Sequence, residues 1–426
     1  MHSFRFTATL TTGIAAFLFT PILFAQAPIL ATGDMRTVHE PTYPAVCETL
    51  MAQFSSSQRA NPPAADDTSR IQAAFNNCAN SGESVVLAAT SASDAFYSNK
   101  LDLKAGETLV VGQGVTLFGN NSYSSQSELI YAKGANMGIM GPGTIDGRGD
   151  LISGTPRLIE AMNLDNFAVY NVTLTHAAKM HLYMENGQNV TVWHLTIASP
   201  ATKKNTDGVD IDSLHEVTVA HSSIEAGDDG IAVKTNSAPA YDITVKDNLL
   251  YGTHGLSIGS QTMYGVTNVL WEHNTVFGTN KFGEVSTDND GIRIKSDPTC
   301  GGNVTQVTYL NTQLIGVKHL MDFNTNYGSC SSKITPHIPY YQDIVVAGFI
   351  SANSQSGAYS EFQGHDASLP LGLYLANVHL DSTVQYNKLT GNNDSQYANV
   401  GIFNSNIVPS GTGVTTFNLI MPPPVH

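Results

Sequence analysis

The sequence predicts an all-β solenoid, a right-handed parallel β-helix closed at its N-terminal end by one short helix. Three observations carry this reading. First, a polar residue followed by alternating apolar and β-branched residues recurs at Asn166-Phe167-Ala168-Val169, Asn189-Val190-Thr191-Val192, Glu216-Val217-Thr218-Val219, Asp242-Ile243-Thr244-Val245 and Asn268-Val269-Leu270-Trp271. Its period of roughly 23–27 residues lies in the range of stacked repeats, none of which can bury its inner face alone. Second, a helical period appears convincingly at one place only. Third, only 13% of the 426 residues are charged and 42% are hydrophobic, which excludes extended disorder. A solenoid of this length forms one unit where ordinary domains would number two or three.

From the N-terminus, a short basic start (His2, Arg5), an apolar run from Gly13 to Phe24 and small residues at Ala25 and Ala27 read as a secretory signal peptide over 1–25. Residues 26–426 are then expected to form a single β-helix domain, with an irregular, Pro-rich arm to about residue 64. Asp66-Asp67-Thr68 precedes Ile71, Ala74, Phe75 and Cys78, spaced as one face of a helix with carboxylates placed to cap it. Gly82 ends it. Short strands follow at 85–87, 109–111 and 115–117, then the repeated phrase, then strands within 302–314, 341–350 and 373–380. Asn ahead of a strand suits a corner with positive φ. The chain from Asn404 onward reads as a tail.

The balance of 20 Lys+Arg against 35 Asp+Glu leaves a formal charge of −15. That argues against a nucleic-acid backbone or an anionic membrane as partner. Export fits the four cysteines, Cys47, Cys78, Cys300 and Cys330, which allow three disulfide connectivities. Cys47–Cys78 and Cys300–Cys330 are favoured because each closes a short loop.

Acidic residues cluster at two junctions one repeat apart: Asn205-Thr206-Asp207-Gly208-Val209-Asp210 and Gly227-Asp228-Asp229-Gly230. Coils stack about 4.8 Å apart, so Asp207, Asp228 and Asp229 are expected in one small site. Two carboxylates about 5 Å apart repel by about 3 kcal/mol at an effective dielectric near 20. One carboxyl should therefore keep its proton near neutral pH while the others stay anionic, and an acid beside a base is the requirement for glycoside hydrolysis. A calcium loop fits poorly, because the Gly and distal Glu of the familiar loop are missing. His254 follows at the next junction. One repeat later, Arg293 and Lys295 share a strand face, with Ile292 and Ile294 turned to the core. Two cations beside the acids can grip a carboxylate.

The set Asn205-Thr206-Asp207, Asp228-Asp229, His254-Gly255 and Arg293-Ile294-Lys295 resembles glycoside hydrolase family 28, the polygalacturonases, in order and spacing. Gly141-Pro142-Gly143-Thr144-Ile145-Asp146-Gly147 and Pro156-Arg157-Leu158-Ile159 agree, and the likeness covers roughly residues 45–400. It implies hydrolysis of α-1,4-linked galacturonate in pectin with inversion, by a secreted monomer that uses no cofactor or metal. Carried over, Asp228 matches the general acid, Asp207 and Asp229 the pair that activates water, and His254 the histidine that supports the acid. Arg293 and Lys295 match the clamp on the substrate carboxylate, Tyr327 a substrate-contacting tyrosine, and Asn205 a residue that orients Asp207 or meets the sugar. Bacterial endo-acting members look most similar, and endo action is favoured over exo, although the segment Gly278 to Asp290 is long enough to close one end of a cleft.

Two positions depart from the family pattern: Thr253 stands where Gly is usual, and Gly230 where Cys, Ser or Asn is commoner. A bulkier residue at 253 is expected to alter the sugar pocket. Competing readings are a hydrolase of rhamnogalacturonan or xylogalacturonan, a calcium-dependent pectate lyase, and a non-catalytic carbohydrate-binding β-helix. The intact Asn-Thr-Asp and His motifs weigh against the first.

Overall fold

The computed structural model describes residues 28–328, 337–381, 385–386 and 395–419. The expected signal peptide lies outside them, as does Cys330, a member of the second expected disulfide. Within them the chain winds as a right-handed parallel β-helix. One sheet has 21 described strands and a second has ten. Strand pairs with strand in parallel from coil to coil, as between Leu182–Trp193 and Val209–Ala220.

The repeated phrase sets the register. Val190, Val217, Ile243, Val269, Val307, Ile344, Leu373 and Val400 are successive partners across the coils. All are fully buried in one continuous core. Each such side chain contributes about 1.5–3 kcal/mol on leaving water. The polar residue that opens each phrase turns the corner with φ between 54° and 61° (Asn166, Asn189, Glu216, Asp242, Asn268). Asn and Asp tolerate that region better than other side chains.

The helix spans Thr68–Cys78 and buries Ile71, Ala74, Phe75 and Cys78 over the first coils. The capping differs from expectation. Asp66 accepts the Thr68 amide, but the Asp67 carboxylate accepts the amide of Tyr97 and pairs with Arg70 instead of closing its own helix. Cys47–Cys78 is bridged, which ties the helix to strand Val46–Met51.

That strand corrects the reading of an irregular arm to residue 64: it pairs with Glu83–Ala88 and begins the long sheet. The chain before it is a strap. Ala31 bonds Thr308, Gly33 bonds Asn268, Asp34 bonds Thr244 and Thr218, Arg36 bonds Val190, and Glu40 accepts from Tyr170. It thus crosses the coils from outside, perpendicular to the strands. The expected tail is also partly ordered, since Thr412–Asn418 pairs with Ser395–Phe403 as a last rung. No helix among the described residues is long and apolar enough to cross a membrane.

Candidate active site

The outward face of the long sheet carries the chemistry. Strand Asp290–Lys295 alternates as expected, with Ile292 and Ile294 in the core and Arg293 and Lys295 on the other face. Successive partners on that outer face are Asp210, Ala232, Ser257, Arg293, Asp322 and Glu361. Asp207, Asp228 and His254 lie at the loop-to-strand junctions that border this ladder.

Asp207 precedes strand Val209–Ala220, and Asp229 precedes Ile231–Lys234. The offset that pairs Val209 with Ile231 sets Asp207 level with Asp229, and the Gly208 amide donates to the Asp229 carbonyl at 2.9 Å. Asp228 is held from three sides. His254 Nδ1 lies 3.0 Å from its Oδ1, the Asp229 amide donates to the same oxygen at 2.9 Å, and the Asn205 amide donates to Oδ2 at 3.1 Å. Asn205 thus holds Asp228 through its backbone amide, where it was expected to orient Asp207 or meet the sugar, and the residue is exposed. Lys295 Nζ is 3.1 Å from both oxygens of Asp229, and Ser257 Oγ donates to Oδ1 at 2.7 Å. The Tyr327 ring covers both cations, 4.9 Å from the Arg293 guanidinium and 5.3 Å from Lys295 Nζ. The eight expected residues are thus brought together on neighbouring coils of the long sheet.

Sequence reasoning missed several groups. Lys234 Nζ lies 2.8 Å from Asp207 Oδ2 and 2.5 Å from Asp210 Oδ1, and all three are buried. A lone Lys ending the apolar run Ile231-Ala232-Val233 was the available signal. His181 is fully buried, its Nδ1 3.0 Å from the Asp207 carbonyl and its Nε2 2.6 Å from Ser199 Oγ. Burial pushes it down to about 4, so it is a neutral brace for the Asp207 backbone. Around Arg293 stand Asp290, Asp322 and Asp288 at 2.8, 3.1 and 3.4 Å.

The two departures from the family pattern prove to be one feature. A Cβ at Gly230 would meet Leu250 at 2.4 Å, Thr253 Oγ1 at 2.9 Å and the Gly255 carbonyl at 3.0 Å. Thr253 is buried and accepts the Gly255 amide. Its bulk occupies space that Gly230 vacates.

Proton placement also departs from expectation. Burial opposes charge at Asp228, but the bond to His254 and the charges of His254 and Lys295 outweigh it and hold the carboxyl well below the usual range. At Asp229 burial is again outweighed, by Lys295, Lys234 and Arg293. His254 rises, because the Asp228 bond and charge overcome its burial. Carboxyls of the same face are pushed up by burial: Asp210 well up, with Asp207 adding to it, Asp322 to about 6 and Glu361 to about 7. Both directions, Asp228 downward and His254 upward, favour the imidazole over the carboxylate as the holder of the proton they share. Asp228, Asp229 and His254 each bring one ligand atom within 4.8 Å of the others, close enough to hold a cation. The imidazole, amide and ammonium hydrogens already directed at those carboxylates compete for that position.

A parallel β-helix whose outer face sets paired carboxylates beside cations carries the acid and base groups that a glycosidase needs. The comparisons make the class specific. The model of glycosyl hydrolases family 28 matches residues 78–399. An endo-polygalacturonase of Pectobacterium carotovorum subsp. carotovorum is 33% identical over 84% of this chain and 92% of its own length. A polygalacturonase of Ralstonia solanacearum is 31% identical over 83% of this chain and 82% of its own. The solved polygalacturonase from Erwinia carotovora ssp. carotovora superposes with a TM-score of 0.72 at 32% identity, covering 83% of this chain and 97% of that one. The chain belongs to glycosyl hydrolases family 28.

Proposed function

We propose that this glycosidase is a secreted endo-polygalacturonase that hydrolyses the α-1,4-galacturonosidic bonds of polygalacturonate with inversion. The observation that carries the reading is the contact between Asp228 and His254 beside the lysine-held Asp229. A leaving oxygen next to Asp228 takes the proton that this carboxylate shares with His254. Asp207, paired with Lys234, and Asp229, held anionic beside Lys295, draw a proton from water on the opposite side of the ring. Arg293, Lys295 and Tyr327 receive the uronate carboxylate of the bound chain.

Endo action is supported by the names of the bacterial relatives. Secretion is supported by the signal-peptide pattern and the Cys47–Cys78 disulfide.

The test is Asp228→Asn, assayed for new reducing ends on polygalacturonate. A loss of at least about 100-fold is expected, with an unchanged circular dichroism spectrum. Near-normal turnover removes the acid assignment. An early drop in viscosity reports endo action, and early release of monomer reports exo. Products absorbing in the ultraviolet would identify a lyase, and retention of the polysaccharide without cleavage a binding module.

A further inference from the structure

The three carboxylates around Arg293 are not equivalent. The side chain of Asp290 is fully buried and shared with His319 Nδ1 at 2.8 Å. That of Asp322 is 14% exposed and takes Nε from the next coil. These two build the guanidinium into the sheet. The side chain of Asp288 is 42% exposed and approaches Nη1 from the flanking loop at 3.4 Å. The Asp288 amide lies 3.4 Å from His254 Nε2, and its carboxylate 4.0 Å from His254 Nδ1. Asp288 thus stands between the imidazole and the guanidinium, on the open side of the clamp. A ligand carboxylate reaching Arg293 from solvent meets Asp288 beside it, since Asp290 holds Nη1, Asp322 holds Nε and Tyr327 covers the face.

We propose that Asp288 is a specificity-determining residue, a carboxylate of the protein that competes with the carboxylate of the incoming uronic acid for Arg293. This rests on reading Arg293 and Lys295 as the seat of the substrate carboxylate. Its chemical consequence is selective. An ionised ring must displace Asp288 or bind the guanidinium beside it, against like-charge repulsion. A methyl-esterified ring brings no charge and meets no such competition. Asp288 therefore narrows the advantage of unesterified over esterified pectic chains. Its exposure limits the effect through solvent screening, to about fivefold in affinity, near 1 kcal/mol.

The experiment measures calorimetric binding of trigalacturonate and of its methyl ester to the full chain carrying Asp228→Asn, with and without Asp288→Asn. Asp290 and Asp322 keep Arg293 in place when Asp288 is neutralised, and Asp288→Ala provides a second variant. The expected result is a dissociation constant about fivefold lower for trigalacturonate, and within about twofold of unchanged for the ester. An unchanged or weaker affinity for trigalacturonate, an equal gain for both ligands, or no binding of either overturns the proposal. Reducing-end release by the unmutated enzyme is scored separately: its absence sinks the catalytic reading, whereas binding that ignores Asp288 sinks only this one.

Discussion

Lys234 Nζ joins Asp207 and Asp210 across two coils, 2.8 Å from one carboxylate and 2.5 Å from the other. Burial alone would discharge such a lysine, but Asp207, Asp210 and Asp229 hold its ammonium well above the usual range. The cation is thereby fixed against a carboxylate assigned to water activation. Lys234→Met is expected to lower kcat on polygalacturonate by at least about tenfold, since a charge-assisted bond to the base contributes about 1.5–3 kcal/mol. Lys234→Arg should restore part of it. Equal activity in the Met variant, measured as initial rate at saturating substrate, would show that the contact is structural only.

The His254–Asp228 pair gives a pH prediction with a definite sign. A histidine raised above its ordinary value of about 6.5 keeps its proton up to that higher pH and loses it as pH climbs through it. The basic limb of kcat/KM should therefore lie above about 6.5. In His254→Gln the proton must reside on Asp228 alone, so the basic limb moves downward. A pH–rate profile for both proteins checks this, and a limb that stays in place contradicts the shared proton.

Cys47–Cys78 closes a loop with a sequence separation of 31. In the chain-entropy account, removing it as the double Ser variant costs about 3–4 kcal/mol. The denaturation midpoint should fall, while groove activity under native conditions persists. A midpoint within error of the parent would mean that strand Val46–Met51 and the helix are held by packing alone.

Gly230 and Thr253 should behave as a coupled pair. Gly230→Ser forces a Cβ against Thr253, Leu250 and the Gly255 carbonyl, a local overpacking that costs about 1–3 kcal/mol. Adding Thr253→Gly should recover part of it. A double-mutant cycle on unfolding free energy measures the coupling, with additivity as the contrary result.

Asn268 anchors the strap. Its Oδ1 accepts from Thr32 and Gly33, its Nδ2 donates to Gly33 and Asp242, and its backbone φ is 54°. Asn268→Ala loses these bonds and adds left-handed strain, together about 2–3 kcal/mol. Faster proteolytic clipping within residues 28–43 should accompany the loss of stability.

The amino-acid sequence alone determined the coil. A two-residue alternation inside a repeat of roughly 23–27 residues admits one stacking with a continuous apolar interior, and the residues that turn the corners are written beside it. It also determined which carboxylates, imidazole and cations meet, because Asp207, Asp228, Asp229, His254, Arg293 and Lys295 recur at equivalent places in successive repeats. Tertiary structure decided what sits against them. Lys234 reaches back to Asp207, Asp288 arrives on an inserted loop with no place in the repeat, and the strap bonds residues more than 200 positions away. It also decided the directions in which the pair titrates, His254 upward and Asp228 downward. Charge state follows from burial and from the summed fields of neighbours in three dimensions, and neither quantity is a local property of the chain.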